Sequence, residues 1–325
     1  MTPVTGPEAL AGRLRAHPSI RSKLGIGRAA AGLGLSASAP GRPGDDAAAI
    51  PNGAGWDLLA GEGFIPGFVE ADLWFAGWCG VMVNLSDIAA MGGRATALID
   101  QIWAPSAEAA QPLMAGLRDA AAAYGVPLVG GHTNFGAPAL GLAVSALGKA
   151  HRLITSFDAR PGDLLIAATD PRGRYVNFDN FCAALEAPHA RLRGDLAILP
   201  DLAEAGLVRA GKDISQGGIV GTALMLAECS QVAIEIDLAA LVPPPGIEAE
   251  RWLRTFPSFG FLLSVAPRDA NAVCARFAAR GIDATAIGRV AEGSAVTFTD
   301  GARRALFWDH AAAPYLGLVK GPAHA

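Results

Sequence analysis

The 325-residue sequence has few charged and few aromatic residues, and it has no closely spaced cysteines. Charged residues make up 17% of the chain and aromatic residues 7%. The formal net charge of −4 gives no reason to expect a nucleic-acid partner. None of the four cysteines has another at the short spacing of a zinc or redox motif, which argues against those sites and favours a reducing, cytoplasmic setting.

Long hydrophobic runs are also missing. No segment reaches the roughly 18 uninterrupted apolar residues that a membrane-spanning helix needs, so no membrane partner is expected. The N-terminal region has no apolar core followed by a small-residue cleavage site, which disfavours a secretory signal. It is basic instead, with five Lys and Arg residues against Glu8 alone over residues 1–40. This composition fits either a transit peptide or an arm that binds an anionic ligand.

The chain does contain alternating helix and strand patterns, over a length that suggests about two domains. Helices are predicted over Pro7–Ala16, over Ala107–Tyr124 between a Ser106 cap and a Gly125 stop, and over 191–205, 218–229, 247–254 and 268–280. Strands are predicted over 80–83, 96–103, 126–130, 140–148, 164–169, 232–237, 259–265 and 283–290. Since the pattern restarts near Arg160, we expect domains at 1–155 and 156–325, both of the α+β class.

Two short segments of the N-terminal half carry carboxylates beside glycine or alanine. Residues 44–50 read Gly-Asp-Asp-Ala-Ala-Ala-Ile and run into a strand, so Asp45 and Asp46 fit either a solvated turn or a metal site. Residues 84–93 read Asn-Leu-Ser-Asp-Ile-Ala-Ala-Met-Gly-Gly. They predict a short helix after a strand, with Asp87 either capping it or holding a cation beside an anion at its N-terminus.

Two further segments place polar residues next to paired glycines. Residues 129–134 read Val-Gly-Gly-His-Thr-Asn, and His132 at this strand exit fits a catalytic or a structural role equally. Residues 211–218 read Gly-Lys-Asp-Ile-Ser-Gln-Gly-Gly and open a helix, with Asp213 ahead of the glycines. Magnesium prefers oxygen ligands and commonly binds through a few carboxylates and nucleotide phosphates. Aspartates from distant segments therefore predict a shared site for Mg²⁺ and a triphosphate.

In this order, the four segments resemble the motif series of the aminoimidazole ribonucleotide (AIR) synthase superfamily, and the Asn-Leu-Ser-Asp segment is highly specific to it. That group includes thiamine-monophosphate kinase, selenophosphate synthetase and the hydrogenase-maturation carbamoyl dehydratase. The resemblance implies a two-domain α+β fold, a homodimer whose N-terminal domains share a β-barrel, and a C-terminal domain packed beside it. It also implies ATP and Mg²⁺ as cofactors and attack on the γ-phosphate by a small-molecule substrate.

The resemblance implies roles for particular residues. The metal ligands would be Asp45, Asp46, Asp87 and Asp213, with Asp87, Asp213 and His132 in catalysis and Asp46, Asn84, Gly130, Gly131 and Thr133 lining the ATP cleft. Lys23, Gly25 and Gly27 would form either a flap over the phosphates or an ordinary flexible arm. The tryptophans at 74, 78 and 103 fit either a substrate pocket or the core.

The sequence departs from the named members of the family. His132 and Gln216 stand where thiamine-monophosphate kinases usually carry acids, and residues 1–78 lack the reactive cysteine of selenophosphate synthetase. The chain therefore resembles an orphan branch. We expect an ATP-dependent phosphotransferase or an ATP-driven synthase or ligase. The alternatives are a thiamine-monophosphate kinase-like enzyme and an accessory protein that binds a nucleotide without turnover.

Overall fold

In the computed structural model, which describes residues 6–35, 39 and 41–318, the chain divides into two compact units. Unit A comprises Asp46–Leu153 and Ala184–Glu204. Unit B comprises the described parts of Met1–Asp45, Ile154–Ala183 and Ala205–Ala325. The chain therefore crosses between the units close to the expected boundary at residues 155 and 156, but it also crosses at three other points.

The α-helices of the described residues are α1 (Pro7–Ala16), α2 (Pro18–Arg21), α3 (Ile26–Gly32), α4 (Pro66–Ala71), α5 (Leu73–Ala90), α6 (Ala107–Tyr124), α7 (His189–Leu196), α8 (Ile198–Glu204), α9 (Gly218–Ser230), α10 (Ala249–Leu253) and α11 (Ala270–Ala278). A 3-10 turn at Ser22–Gly25 joins α2 to α3. Helices α7 and α8 pack on the α5–α6 pair, which explains why residues 184–204 belong to unit A.

The strands of the described residues are β1 (Ala48–Asn52), β2 (Gly55–Gly63), β3 (Arg94–Ala104), β4 (Leu128–Phe135), β5 (Gly141–Ala150), β6 (Leu164–Thr169), β7 (Arg174–Tyr175), β8 (Asn180–Cys182), β9 (Ala210–Asp213), β10 (Ala233–Asp237), β11 (Phe256–Pro257), β12 (Gly260–Val265), β13 (Asp283–Ala291), β14 (Ala295–Thr299) and β15 (Arg304–Asp309). The predicted strands correspond to β3, β4, β5, β6, β10, β12 and β13, and β1 follows the segment 44–50 as expected, whereas β2, β7, β8, β9, β11, β14 and β15 were not predicted.

Unit A is a five-stranded sheet with the order β1-β2-β5-β3-β4. Its strands pair antiparallel except β3 and β4, which are parallel. Helices α5 and α6 cover one face of this sheet. They approach closely because both carry glycine at the crossing: a Cβ added to Gly116 would lie 1.9 Å from the Trp74 carbonyl oxygen, and one added to Gly77 would lie 2.1 Å from that of Leu113.

The predicted strand at residues 80–83 is wrong, because these residues lie inside α5. This helix runs for 18 residues and ends at Met91 and the left-handed Gly92. Sixteen consecutive residues, from Phe75 to Ala90, are buried in it. Packing on both α6 and the sheet outweighs the weak strand preference of the Val-Met-Val run. The helix predicted to start at Asn84 is therefore the end of a longer helix.

Helix α6 matches its prediction at both ends. Ser106 caps it by accepting a hydrogen bond from the Ala109 backbone N–H at 3.2 Å. Gly125 ends it in the left-handed conformation with φ 69°. Helix α1 also spans Pro7–Ala16 as predicted, and β6 spans Leu164–Thr169 as predicted. Gly27, expected in a flap or a flexible arm, lies instead in α3, and residues 36–38 and 40 lie outside the described residues.

The face of the unit A sheet opposite α5 and α6 carries exposed apolar side chains, and we call it the open face. Leu59 of β2 lies beside Leu147 of β5, and both are at least 42% exposed. Ile99 and Trp103 of β3 are each 41% exposed. Contiguous exposed apolar surface marks an interaction site more often than it marks ordinary surface.

Unit B is built on a seven-stranded mixed sheet with the order β15-β14-β10-β13-β6-β12-β9. Helix α9 lies in its core, and every residue of α9 is buried. A small sheet with the order β11-β8-β7 flanks the larger one. Together with unit A, this confirms a two-domain fold of mixed α+β content.

Within the described residues, α5 is long and apolar enough to cross a membrane by length and composition alone. Most of it is buried between the α6 helix and the sheet of unit A. A core helix passes this test as readily as a membrane span does, so α5 is weak evidence for a membrane protein.

Candidate active site

Asp46 and Asp87 come together in unit A. Asp46 lies two residues before β1, and Asp87 lies in the last turn of α5. A carboxylate oxygen of Asp46 lies within 4.8 Å of a carboxylate oxygen of Asp87. Asp87 is 5% exposed and Asp46 is half-buried. Two carboxylates at this spacing repel each other unless a proton or a cation stabilises them.

The position of Asp87 on its helix also favours a cation. The sequence predicted Asp87 at a helix N-terminus, where free N–H groups would bind an anion, and this is wrong. Residues 84–87 lie at the C-terminal end of α5, where the helix dipole is negative. A buried carboxylate at this end is disfavoured by about 0.3–1 kcal/mol, and positive charge is favoured there. The local field therefore attracts a metal ion rather than a phosphate.

Asn84 lies in α5 three residues before Asp87. Its side chain is fully buried, and its Nδ2 donates a hydrogen bond of 2.8 Å to the Gly80 carbonyl oxygen. This bond fixes the orientation of the amide, because only the NH2 group can donate to a carbonyl. The Oδ1 atom is buried and has no hydrogen-bond partner. A buried unsatisfied acceptor costs about 1–3 kcal/mol, so it indicates a ligand or water at this point.

Asp45, the neighbour of Asp46, is held by a different contact. Its Oδ1 accepts a hydrogen bond from the Ser156 backbone N–H, within unit B. The adjacent Gly44 has φ 121°, and its carbonyl oxygen accepts a hydrogen bond from Cys229 Sγ at 3.6 Å. This contact gives the Asp45 carboxylate a structural role. A role for Asp45 as a metal ligand stays a prediction.

Asp213 lies in unit B, at the end of the edge strand β9, and is 3% exposed. The chain then turns through Gly217 and Gly218, both at positive φ, into α9. The Thr222 hydroxyl, one turn into α9, donates to the Asp213 carbonyl oxygen at 3.2 Å. The strand end and the helix start are therefore tied together, and the backbone N–H groups of this start suit an anion.

Lys23 reaches the same turn of unit B. Its Nζ lies 3.5 Å from the Ser215 hydroxyl oxygen, at the long limit of a hydrogen bond. Lys23 sits in the 3-10 turn, so this part of the predicted arm has regular structure. A Cβ added to Gly27 would lie 2.5 Å from the Leu316 carbonyl oxygen, whereas one added to Gly25 would meet nothing within 4 Å. Packing therefore explains Gly27.

Gly130, Gly131, His132 and Thr133 all lie inside β4, an edge strand, so the strand continues past the exit that the sequence predicts at His132. The first three are exposed, and Thr133 is half-buried. His132 pairs with Gln101 of β3, which pairs with Ala143 of β5. Since Gln101 alternates with the exposed Ile99 and Trp103 along β3, His132 belongs to the open face with Trp103.

His132 and Asp87 do not lie together within unit A. Next to Asp87, Ile88 packs on Gly148 of β5, where an added Cβ would lie 2.5 Å from the Ile88 Cγ2. His132 is level with Ala143 of the same strand. Gly148 and Ala143 are five residues apart on β5, which corresponds to about 17 Å at 3.3 Å per residue. The expectation that both residues line one cleft is therefore not met within a single unit A.

Sequence reasoning gave no role to several residues near these positions. The charged Lys212 is 5% exposed, and its Nζ lies 3.4 Å from the Gly44 carbonyl oxygen. Asp100 faces Gly131 across β3 and β4, and burial raises the pKa of its carboxyl group. Glu228 is the one charged residue of α9, and its isolation within an apolar helix is a signal that can be read from the sequence.

Trp78 lies in the core and stacks near Trp74, whereas Trp103 lies on the open face.

The fold and these positions define a two-domain α+β protein in which a buried aspartate, Asp87, lies close to the half-buried Asp46. The N-terminal domain of AIR synthase related proteins matches residues 44–150, and their C-terminal domain matches residues 185–301. The chain belongs to the AIR synthase related family.

Similar proteins include members with and without an assigned activity. An uncharacterized protein of Synechocystis is 47% identical over 86% of this chain and 87% of its own length. A thiamine-monophosphate kinase of Halobacterium salinarum is 29% identical over 65% of this chain and 83% of its own length. A selenide, water dikinase of a Geobacter species is 28% identical over 63% of this chain and 72% of its own length. The high identity to an uncharacterized protein fits the expected orphan branch.

Solved structures share the fold at low identity. T. maritima PurL complexed with ATP superimposes with a TM-score of 0.69 and 17% identity, over 86% of this chain and 47% of that chain. AaThiL complexed with AMPPCP and TMP superimposes with a TM-score of 0.65 and 22% identity, over 87% of this chain and 96% of that chain. This chain thus spans about half the length of PurL and nearly all of AaThiL.

Proposed function

We propose that this protein is a Mg²⁺-dependent, ATP-using enzyme of the cytoplasm. It either transfers the γ-phosphate of ATP to a small-molecule substrate or uses that phosphate to activate the substrate. The observation that carries the proposal is the Asp46–Asp87 pair, together with the buried and unpartnered Oδ1 of Asn84, one turn earlier in α5. These oxygens are the donors that Mg²⁺ prefers, so the residues present fit the ion. Relatives that are ATP-dependent kinases or that were solved with ATP support the nucleotide.

Each residue then has a defined task. Asp46, Asp87 and Asn84 would hold Mg²⁺, which neutralises phosphate charge when bound. We propose that Asp213 is a further metal ligand, and that Asp45 supports the metal site. The start of α9 donates its backbone N–H groups to phosphate oxygens, and the Lys23 ammonium group adds a positive charge. Phosphoryl transfer depends mainly on such positioning and charge neutralisation.

We further propose a homodimer formed through the open face, in which the two sheets share a barrel. Leu59, Leu147, Ile99 and Trp103 supply the apolar surface that such contact would cover. This arrangement gives His132 a task despite its distance from Asp87. His132, with Gly130, Gly131 and Thr133, would line the ATP cleft of the partner protomer.

Calorimetry with ATP and Mg²⁺ tests the metal site. Replacing Asp87 with Asn keeps the shape and removes the charge, and we expect ATP affinity in Mg²⁺ to fall by about tenfold or more because a metal ligand is lost. The matched control is Asp201→Asn, an exposed aspartate of unit A paired with Arg94. Equal ATP affinity in the wild type and Asp87→Asn would remove Asp87 from the site.

A thiamine-monophosphate kinase-like activity is the second candidate, favoured by the relative of that name. Incubation with ATP, Mg²⁺ and thiamine monophosphate should then yield the diphosphate. Lack of product, together with sustained ADP formation on another metabolite, excludes it. Slow phosphate release that no metabolite accelerates favours instead an accessory protein that binds ATP without turnover.

A further inference from the structure

The C-terminal part of unit B is fixed to α9 by a buried carboxylate. We call residues Tyr315–Gly317 the clasp. Glu228, which is 5% exposed, accepts hydrogen bonds from the backbone N–H groups of Tyr315, Leu316 and Gly317. The bonds to Leu316 and Gly317 measure 3.0 and 2.8 Å. A carboxylate that receives several backbone N–H groups is held in one orientation, so the clasp is fixed relative to the last turns of α9.

The Tyr315 side chain extends from this anchor towards the start of α9. It is fully buried, and a Cβ added to Gly221 would lie 3.7 Å from its hydroxyl oxygen. Gly221 and Glu228 are seven residues apart, or about 10 Å along a helix. The Tyr315 ring therefore lies along two turns of α9, and its edge contacts Trp308 at a centroid distance of 5.6 Å.

The hydroxyl at the end of this ring holds the N-terminal segment. It donates a hydrogen bond of 2.8 Å to the Ile20 carbonyl oxygen, in α2. Burial and the Glu228 charge both raise the pKa of Tyr315, so the hydroxyl keeps its proton at physiological pH and stays a donor. The clasp contacts this segment at a second point, because Gly27 packs on the carbonyl oxygens of Leu316 and Gly317.

Lys23 lies between these two points of attachment. The Ile20 carbonyl precedes it by three residues and Gly27 follows it by four, and both contact the clasp. Ile20 also packs directly on α9, since a Cβ added to Gly221 would lie 3.5 Å from its Cδ1, and the clasp adds one attachment on each side of Lys23. In this arrangement the Lys23 Nζ lies 3.5 Å from the Ser215 hydroxyl oxygen, at the turn that opens the helix.

We propose that Glu228 and Tyr315 are positioning residues, which act through the clasp to place the Lys23 ammonium group for the phosphates of the nucleotide. The inference rests on the proposed function, because it assigns that nucleotide to the start of α9. It adds a mechanism by which residues at the far end of the helix and near the end of the chain control affinity for a triphosphate.

A double-mutant cycle tests the proposal with Mg²⁺–ATP as the probe in calorimetry. Tyr315→Phe deletes only the hydroxyl, and we expect ATP affinity to fall about two- to tenfold, the range of one hydrogen bond. Lys23→Met should weaken ATP on the order of tenfold or more, because a charge-assisted contact is lost. In the double variant the loss should equal that of Lys23→Met alone, since Tyr315 acts through Lys23.

Tyr175→Phe is the matched control, because it also deletes a hydrogen-bonded tyrosine hydroxyl of unit B; the half-buried Tyr175 hydroxyl lies 2.6 Å from the Thr255 hydroxyl. We expect it to leave ATP affinity unchanged. Amide hydrogen exchange provides a readout without nucleotide: residues 20–27 should exchange faster in Tyr315→Phe, while α9 stays protected.

The outcomes separate the two proposals. Additive losses in the double variant, or exchange at residues 20–27 that Tyr315→Phe leaves unchanged, would overturn the positioning role alone. A wild-type protein that binds no ATP would overturn the proposed function and this inference with it. A loss of affinity that tracks a lowered melting temperature equally in Tyr315→Phe and Tyr175→Phe would show a general effect on stability and also refute the positioning role.

Discussion

At the scale of single residues, the buried polar side chains of unit A divide into those that the fold satisfies and those that it does not. Asp72 caps α5 by accepting from the Phe75 N–H at 2.9 Å, and Ser106 caps α6 in the same way. The Asn84 Oδ1 has no such partner, and Asp87 stands beside Asp46 at a negative helix end. A buried amide oxygen without a partner, such as the Asn84 Oδ1, is costly to folding, and in the proposed function a bound cation would satisfy it.

The carboxyl group of Asp100 tests how burial of a charged side chain affects the stability of unit A. Burial raises the pKa of its carboxyl group above the ordinary value, so the folded state binds the proton more tightly than the unfolded state does. Its charge therefore lowers stability as pH rises above the ordinary aspartate range. We expect Asp100→Asn to raise the melting temperature at neutral pH, with the gain shrinking as the pH is lowered towards 4 or below.

Scanning calorimetry across this pH range measures the effect. The control is Asp201→Asn, whose exposed carboxylate pairs with Arg94 and should give little change at any pH. A stability gain for Asp100→Asn that is equally large at acidic pH would show that burial of the charge is not its cause.

At the scale of elements, the closeness of α5 and α6 depends on two glycines. Gly116→Ala would place a Cβ 1.9 Å from the Trp74 carbonyl oxygen, which is backbone and cannot rotate away. We expect a loss of about 1–3 kcal/mol or more in the free energy of unfolding, because the helices must separate. Urea denaturation followed by circular dichroism measures it.

Gly12→Ala is the control for this substitution. Gly12 lies inside α1, and an added Cβ meets nothing within 4 Å. The same chemical change should therefore stabilise by about 0.5–1 kcal/mol, through backbone entropy alone. If Gly116→Ala also proves stabilising, the tight helix crossing is incorrect.

Local patterns predicted most elements, and the failures have a physical cause. The ends of α6 were readable because Ser106 and Gly125 are strong local signals. The interior of α5 was not, since its Gly80–Val83 segment has no helix periodicity and becomes helical only through packing on all sides. The same error placed Asp87 at the wrong end of a helix. The pairing of Asp46 with Asp87 was nevertheless expected from the motif series.

The clasp lay beyond sequence reasoning altogether. Tyr315 is 87 residues from Glu228 and 295 residues from Ile20, and no periodic pattern connects these positions. Only the isolated charge of Glu228 in an apolar helix pointed to a buried partner.

At the scale of the whole molecule, the open face of unit A is the feature that a monomer would not need. We expect the wild type to sediment as a dimer and Leu147→Arg to sediment as a monomer, because a charge would be buried at the centre of the contact. Val242→Arg is the control, since Val242 is a 77% exposed apolar residue of unit B. Sedimentation velocity distinguishes these species, and a wild-type monomer would refute the shared barrel.

The α5–α6 crossing limits which amino acids can evolve at its two glycine positions. Each glycine faces the backbone of the other helix, at Leu113 and at Trp74, so neither position can enlarge while the helices keep their spacing. Among divergent relatives, both sites should keep small amino acids, even where the surrounding alanines are replaced by other residues. A lineage that admits a bulky residue at one of them must have reshaped the layer that carries Asp87.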